Sequence, residues 1–381
     1  MLIWNNNTDN MAVGPKAIIH LDRLRHNYNI VKTTAGGRRM MAVVKANGYG
    51  HGAVESTKAL AQEGCDFFAV FTFEEAVELR DAGIEEDIFV FSRSRHETFA
   101  EAVDRHITLN ISHANDVDAL AGFHAETGES PKVHLKVDTG MTRLGITMEE
   151  VESVLKQIKD SEGIRCEGIY SHYATADEGD LGYANEQLKN FNNVLEIADA
   201  LGIQFSIKHF SNSGSVLNLP ESGFDAVRVG MLLYGAFPSD EVPAELDIKP
   251  VMEFRGPIVH VRRVSAGTQV SYGGVWTAEK ETTIGVIQTG FADGFPRPWY
   301  AGGCVSYQGN RYPIAGRVCM DQLMVDFGDA SPNEGEDVLF FGENETDSIR
   351  VEEIASAIGS TPYVLLTAIH GRTERKYFKP S

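Results

Sequence analysis

The chain has 381 residues, 43% of them hydrophobic, which is too long for one small core and ample for a large barrel with a second domain. Lys and Arg total 34 against 54 Asp and Glu, and the resulting formal charge of −20 argues against a nucleic-acid or membrane-surface partner. Cys65, Cys166, Cys304 and Cys319 stand far apart without a CxxC pair, which fits the reducing cytoplasm and argues against a zinc site.

From the N-terminus, Met1 to Lys16 is rich in Asn and lacks the apolar run of a signal peptide, so residues 1–15 read as a flexible tail. No later stretch is long and apolar enough to span a bilayer. Ala17–Leu21 is extended and precedes the first repeat, where it is free to pair with a distant sheet. Eight apolar runs follow: Met40–Val44, Cys65–Phe71, Asp87–Phe91, Ile107–Ile111, Val133–Asp138, Arg165–Tyr170, Phe205–Phe210 and Ala226–Val229. Parallel strands covered by helices on both faces read as such runs. Thr72 with Glu75, and Thr147 with Glu150, fit capping boxes, while Gly64, Gly83 and Gly202 fit helix stops. Leu188, Phe191, Leu195 and Ala198 recur at helical spacing, as a helix packed on a sheet requires.

The expected fold is therefore α/β: an N-terminal (β/α)₈ barrel of the TIM type over 16–244, then a mostly β domain over 245–381. In the second domain Ile258–Val264, Thr283–Gln288, Leu323–Phe327 and Asp337–Phe341 read as strands, with one late helix near Val351–Ile358.

A barrel of this kind carries its site at the C-terminal ends of the strands. Lys45 directly follows Val43 and Val44, an apolar setting that favours the neutral amine able to form a Schiff base. A lysine reaching from a strand end to solvent is the commoner reading of such a position. Lys136 falls inside the fifth run and Arg143 on the loop after it; His172 follows the sixth. Asn212, Ser213 and Gly214 follow the seventh, and Arg228 and Gly230 close the eighth, where barrels commonly hold a phosphate. A satisfied core histidine and ordinary turn residues remain alternatives for each of these taken singly.

Taken together, VVKANGYGHG (43–52), KVDTGMTRLG (136–145), SHYATAD (171–177), FSNSGS (210–215), VRVGMLLYG (227–235), VSYGGVWTA (270–278), GFADGFPR (290–297) and AGRVCMDQ (315–322) resemble the alanine racemase family from Ala17 to Tyr377. The resemblance implies pyridoxal 5'-phosphate bound to Lys45 as a Schiff base, with Lys45 and Tyr272 as two catalytic bases on opposite faces of the substrate. In the family the lysine takes the α-proton from the D-isomer and the tyrosine from the L-isomer. It further implies that His172 hydrogen-bonds the tyrosine and that Arg228 both orients His172 and faces the pyridine nitrogen, which it leaves neutral. The phosphate would rest on Ser213, the N–H groups of Gly230 and Met231, and the hydroxyls of Tyr49 and Tyr363, with Asn212 in the same stretch. Arg143 would support the cofactor and, with the N–H of Met320 and with Asp321 beside it, the substrate carboxylate. Lys136 matches a position that is carbamylated in many members. Tyr272 and Met320 would come from a second subunit, so the resemblance implies a homodimer with composite sites.

Two departures bear on substrate range: Phe291 stands where tyrosine is usual, and PYVLLTAIHGRTERKY (362–377) differs near its arginine. The expected activity is interconversion of L- and D-alanine, with D-alanine serving cell-wall peptidoglycan. The alternatives are a racemase with broader or serine preference, a decarboxylase on a related barrel, and a non-catalytic carrier of the same cofactor. The decarboxylases lack the VSYG and GRVCMD segments, and the carriers end near the eighth strand.

Overall fold

The computed structural model describes residues 14–378, so most of the expected tail over 1–15 lies outside the described residues. The chain forms two compact units, one of Arg23–Lys249 and one of the residues up to Asp22 together with Pro250–Ser381.

An extended segment, β1 (Lys16–His20), precedes the first unit. Within that unit β2 (Arg39–Val43), β3 (Phe67–Val70), β4 (Asp87–Arg93), β5 (Ile107–Ile111), β6 (Lys132–Lys136), β7 (Arg165–Tyr170), β8 (Ile207–His209) and β9 (Ala226–Val229) close into a parallel barrel. Closure is completed by β9 returning to β2, with Met41 opposite Arg228 on one side and Phe67 on the other. Phe68 and Phe89 are fully buried, and each such side chain stabilises the fold by about 1.5–3 kcal/mol relative to exposure.

The helices between strands begin and end for local reasons. Thr72 caps the helix Phe73–Asp81 by accepting the Glu75 N–H, and the Glu75 carboxylate returns to the Thr72 N–H. Gly64, Gly83 and Gly202 each adopt a positive φ just past a helix end. The long helix Gly182–Ala200 buries Ala184, Gln187, Phe191, Val194 and Ala198, which leaves Leu188 and Leu195 at the edges of the stripe. Thr147 does not cap a helix. The helix there starts at Val151, and the Glu150 carboxylate accepts the Thr147 N–H and hydroxyl within the preceding turn.

The second unit comprises β10 (Met252–Val264), β11 (Gln269–Val270), β12 (Trp276–Thr277), β13 (Thr282–Ile287), β14 (Cys304–Tyr307), β15 (Asn310–Pro313), β16 (Leu323–Gly328), β17 (Asp337–Glu343), β18 (Ser348–Ile349) and β19 (Glu374–Phe378). Its main sheet runs β15-β14-β17-β10-β1-β19, and β13 and β16 extend the far half of β10. β1 lies antiparallel to β10 and parallel to β19, so the start of the chain is a strand of this sheet. An ion pair between Lys16 and Asp337 (2.9 Å) and the buried Glu253, held by His20 at 2.7 Å and by Arg255, anchor it there. The late helix Val351–Ala357 is followed by a second, Pro362–Thr367, which proline opens at its first position.

Candidate active site

Lys45 enters the rim through a strained turn. Ala46, Asn47, Gly48 and Tyr49 have φ of 53°, 54°, 60° and 51°, a single left-handed helical turn. For each non-glycine residue this costs about 1–2 kcal/mol and persists only where neighbours impose it. Here Glu75 accepts the Ala46 N–H (2.7 Å) and the Asn47 side chain accepts the Ala53 N–H (3.0 Å). The capping carboxylate of one helix thus also fixes the backbone beside the lysine.

The rim is densely cationic in a chain of net charge −20. Burial, and then the Arg143 guanidinium, hold the Lys45 ammonium below its ordinary range; Glu75 opposes this and Arg228 adds to it. Lys136, the last residue of β6, is buried under the Tyr170 ring (5.5 Å), and burial followed by Arg143 and Arg228 pushes its pKa down to about 7. Arg143, on the loop after β6, is exposed and has no hydrogen bond or ion pair among the described residues. Such a cluster of amines and guanidinium groups suits an anionic ligand, and its burial and mutual repulsion shift both lysines towards the neutral form.

Arg228 lies on β9 with only 3% of its surface exposed, yet its side chain reaches no carboxylate among the described residues. Its guanidinium donates to the carbonyls of Ser171 (2.7 Å) and Phe210 (2.9 Å), to Nδ1 of His172 (3.1 Å) and to Nδ1 of His209 (3.0 Å). Burial brings its pKa down to about 10, so it stays charged at neutral pH. Burial and the nearby Arg228 charge hold His172 well below its ordinary range. A neutral His172 whose Nδ1 accepts from Arg228 must carry its proton on Nε2. The buried Gln187 fixes the same loop, donating to the His172 carbonyl (3.1 Å) and accepting the Ala174 N–H (2.8 Å).

Four further expected residues meet beside this group. The Ser213 hydroxyl accepts the Gly230 N–H (3.3 Å), and Tyr49 packs so closely on Gly230 that a Cβ there would lie 2.5 Å from its Oη. Met231 follows, fully buried. Backbone N–H groups, a serine and a phenol on one cradle without a side chain fit the phosphate of pyridoxal phosphate, and the lysine cluster fits its aldehyde. Asn212 acts differently, since its side chain caps the short helix Ser213–Asn218 by accepting the Ser215 N–H (3.0 Å). Gly230→Ala tests the cradle. The variant should fold, at a cost of about 1–3 kcal/mol, but bind pyridoxal phosphate at least about tenfold more weakly in an absorbance titration.

The remaining candidates lie in the second unit. Tyr272 opens a short turn after Ser271, whose φ is 65° and whose hydroxyl donates to the Arg317 carbonyl (2.6 Å). Tyr272, Met320 and Asp321 line one open hollow of about 710 Å³. Tyr272 is 68% exposed and Met320 56%, large values for such side chains. The Met320 carbonyl accepts the Ala292 N–H (3.0 Å), while its own N–H has no acceptor among the described residues. Asp321 is held by Arg372 (2.5 Å), which also grips the buried Asp293, itself the acceptor of the Gly290 N–H (2.8 Å). Tyr363 is half-buried on the helix Pro362–Thr367, and Phe291 is exposed beneath the Arg297 guanidinium.

Sequence reasoning missed His209, Gln187, Arg372 and Asp293, and read Glu75 only as a cap. The signal for His209 was a polar letter inside an apolar strand run. Nothing in spacing links Arg372 to Asp293 or Asp321.

Residues 19–238 match the family of alanine racemase N-terminal domains, and residues 251–377 that of alanine racemase C-terminal domains. The chain is 38% identical to an alanine racemase of Carboxydothermus hydrogenoformans, covering 95% of this chain and 98% of that one. Among solved structures, it resembles alanine racemase from Streptomyces coelicolor with a TM-score of 0.92 and 32% identity, over 97% of this chain and 99% of that one. It also resembles the Bacillus anthracis alanine racemase with bound L-Ala-P, with a TM-score of 0.88 and 30% identity over 96% and 95% of the two chains. The order of the domains, the closed barrel and the near-complete coverage of both chains agree: this chain belongs to the alanine racemase family.

Proposed function

We propose that this protein interconverts L-alanine and D-alanine in the cytoplasm, using pyridoxal phosphate and working as a homodimer. Each site would join the barrel rim of one subunit to Tyr272 and Met320 of the partner subunit. The observation that carries the reading is Arg228, a buried cation whose acceptors among the described residues are carbonyls and imidazoles, beside lysines whose pKa values burial and cationic neighbours lower. The exposed Tyr272 and Met320 around one hollow support the second subunit, because such a surface is suited to being covered.

When bound, the cofactor supplies an electron sink that acidifies the α-hydrogen of the amino acid. Lys45, which burial and its cationic neighbours bias towards the neutral amine, accepts or returns a proton on one face. The hydroxyl of Tyr272 serves the opposite face, with the Nε2–H of His172 as donor to its oxygen when the proton has left. Arg143 and the Met320 N–H bind the substrate carboxylate, and Arg372 steadies the loop through Asp321. Tyr363 limits the side chain to a small one. The D-alanine formed would supply peptidoglycan precursors.

The test is to give the purified protein pyridoxal phosphate and single L-amino acids and to resolve the enantiomers. D-Alanine should form fastest and approach an equal mixture, because the enantiomers have equal free energy. Release of CO₂ without a D-isomer would overturn the reading.

Lys136 adds a prediction. With its pKa near 7, about half its amine is neutral at neutral pH, against about one part in 2,500 at the ordinary value of about 10.4. Only the neutral amine adds CO₂, and the carbamate so formed is an anion able to pair with Arg143. Labelled bicarbonate should therefore give a carbamate carbon signal at pH 8 that fades below pH 6 and is absent in Lys136→Met. A Lys136→Met protein that retains the signal would contradict the assignment.

A further inference from the structure

The hydrogen bonds of Arg228 continue away from the rim. Below it, His209 is fully buried on β8 and its Nε2 lies 2.9 Å from Nδ1 of His134 on β6. His134 in turn lines a cavity of about 190 Å³ at the N-terminal mouth of the barrel. Arg39, Asp87 and Lys132, the first residues of β2, β4 and β6, line it too, with Glu167 and Asp225. Two ion pairs join residues of that lining to one another, Arg39 with Asp87 (2.7 Å) and Lys132 with Glu167 (3.6 Å). A single row of groups therefore links the candidate active site to the opposite end of the barrel.

The direction of this row follows from one fact: arginine can only donate. Nδ1 of His209 must therefore accept from Arg228, which leaves the proton of a neutral His209 on Nε2. That proton can be shared only if Nδ1 of His134 accepts it, and so His134 carries its own proton on Nε2, which has no protein partner among the described residues. Burial favours the neutral form of both rings and pushes His134 down to about 3. A reversed His134 would set two donors face to face in a dry core.

The packing is built to hold both rings. Tyr170 stacks on His209 at 4.8 Å and 8°, and Phe89 stacks on His134 at 4.7 Å. Gly168 on β7 leaves the space that His134 fills, since a Cβ there would lie 2.5 Å from Cδ2 of the ring.

We propose that His134 is a positioning residue for the active site: by accepting the Nε2–H of His209 it keeps Nδ1 of His209 an acceptor and so holds the Arg228 guanidinium in place at the rim. The catalytic consequence rests on the function proposed above, whereas the proton positions do not.

Nitrogen-15 spectra of histidine-labelled, full-length holoenzyme at neutral pH test it directly. His134, His172 and His209 should all be neutral with the proton on Nε2; a His209 with its proton on Nδ1, or on both nitrogens, would overturn the proposal. Two variants extend the test. His134→Leu should move the His209 nitrogen signals, shift the absorbance maximum of the bound cofactor, and lower kcat about tenfold, with KM within about twofold. Gly168→Ala, which displaces the ring without changing it, should act in the same direction. His134→Gln, whose amide oxygen can accept, should restore most of the wild-type signals and rate. Unchanged His209 signals and absorbance in His134→Leu would reduce His134 to packing and sink the idea. Should His134→Leu not fold, the wild-type spectrum and His134→Gln still decide. A failure of the racemase reading would appear as absence of D-alanine with the histidine signatures intact, so the two failures are separable.

Discussion

Replacing Tyr272 with phenylalanine should lower conversion of L- to D-alanine by about 10²–10⁴-fold while leaving the cofactor bound. The substitution removes one hydroxyl from a ring that is 68% exposed, above a turn fixed by the Ser271 bond to the Arg317 carbonyl. That oxygen makes no hydrogen bond among the described residues, so stability in thermal unfolding should stay within the scatter expected of a surface change, about ±0.5 kcal/mol. The loss should also be one-sided. Lys45 still serves its own face, so the variant should exchange the α-hydrogen of D-alanine for solvent deuterium without inverting it. A variant that racemises normally would remove Tyr272 from the mechanism.

Lys45→Ala should abolish both racemisation and deuterium exchange, and it should no longer hold pyridoxal phosphate through a borohydride-reducible bond. Stability should move the other way. The folded-state pKa of Lys45 is depressed, so below its ordinary value the folded protein binds fewer protons than the unfolded chain, and burying the charged form costs stability. Stability therefore rises with pH across the window between the depressed and the ordinary value. Removing the amine removes that cost and one positive neighbour of Lys136, so with both proteins stripped of cofactor, thermal unfolding at neutral pH should show no loss for Lys45→Ala. A strongly destabilised variant would mean that Lys45 is held by a partner instead of being repelled by its surroundings.

These expectations depend on how much of the molecule the amino-acid letters carry. The barrel was legible because strands covered on both faces must be apolar throughout, and all eight runs fall on barrel strands. Their ends were less so. The run Cys65–Phe71 overshoots β3 by two residues at its start, where the chain is still leaving the positive-φ Gly64. β15, β18 and β19 escaped notice because short strands with exposed or half-exposed polar residues look like loops, and β14 because its four residues, though mostly buried, are too few to show a pattern. The second late helix was hidden by its length of six residues, too short for a period to show.

Within the site, the rim residues were legible because barrel geometry sends each strand end to one place. Their partners were not. His209 bonds Arg228 across 19 positions and His134 across two strands, and neither contact leaves a periodic trace. The left-handed turn after Lys45 is a case of strain imposed from outside, by a glutamate 29 positions away from the N–H it holds. Local preference would not place Ala46 or Tyr49 in that conformation.

The proposed sharing of each site between two subunits is tested most directly by mixing two inactive variants. Lys45→Ala and Tyr272→Phe proteins, co-expressed so that hybrid dimers form, should regain about one quarter of wild-type turnover. Half of the dimers would then be hybrids, each with one site that has both its lysine and its tyrosine. If both residues acted within a single chain, every site in the mixture would lack one of them, and no activity would return.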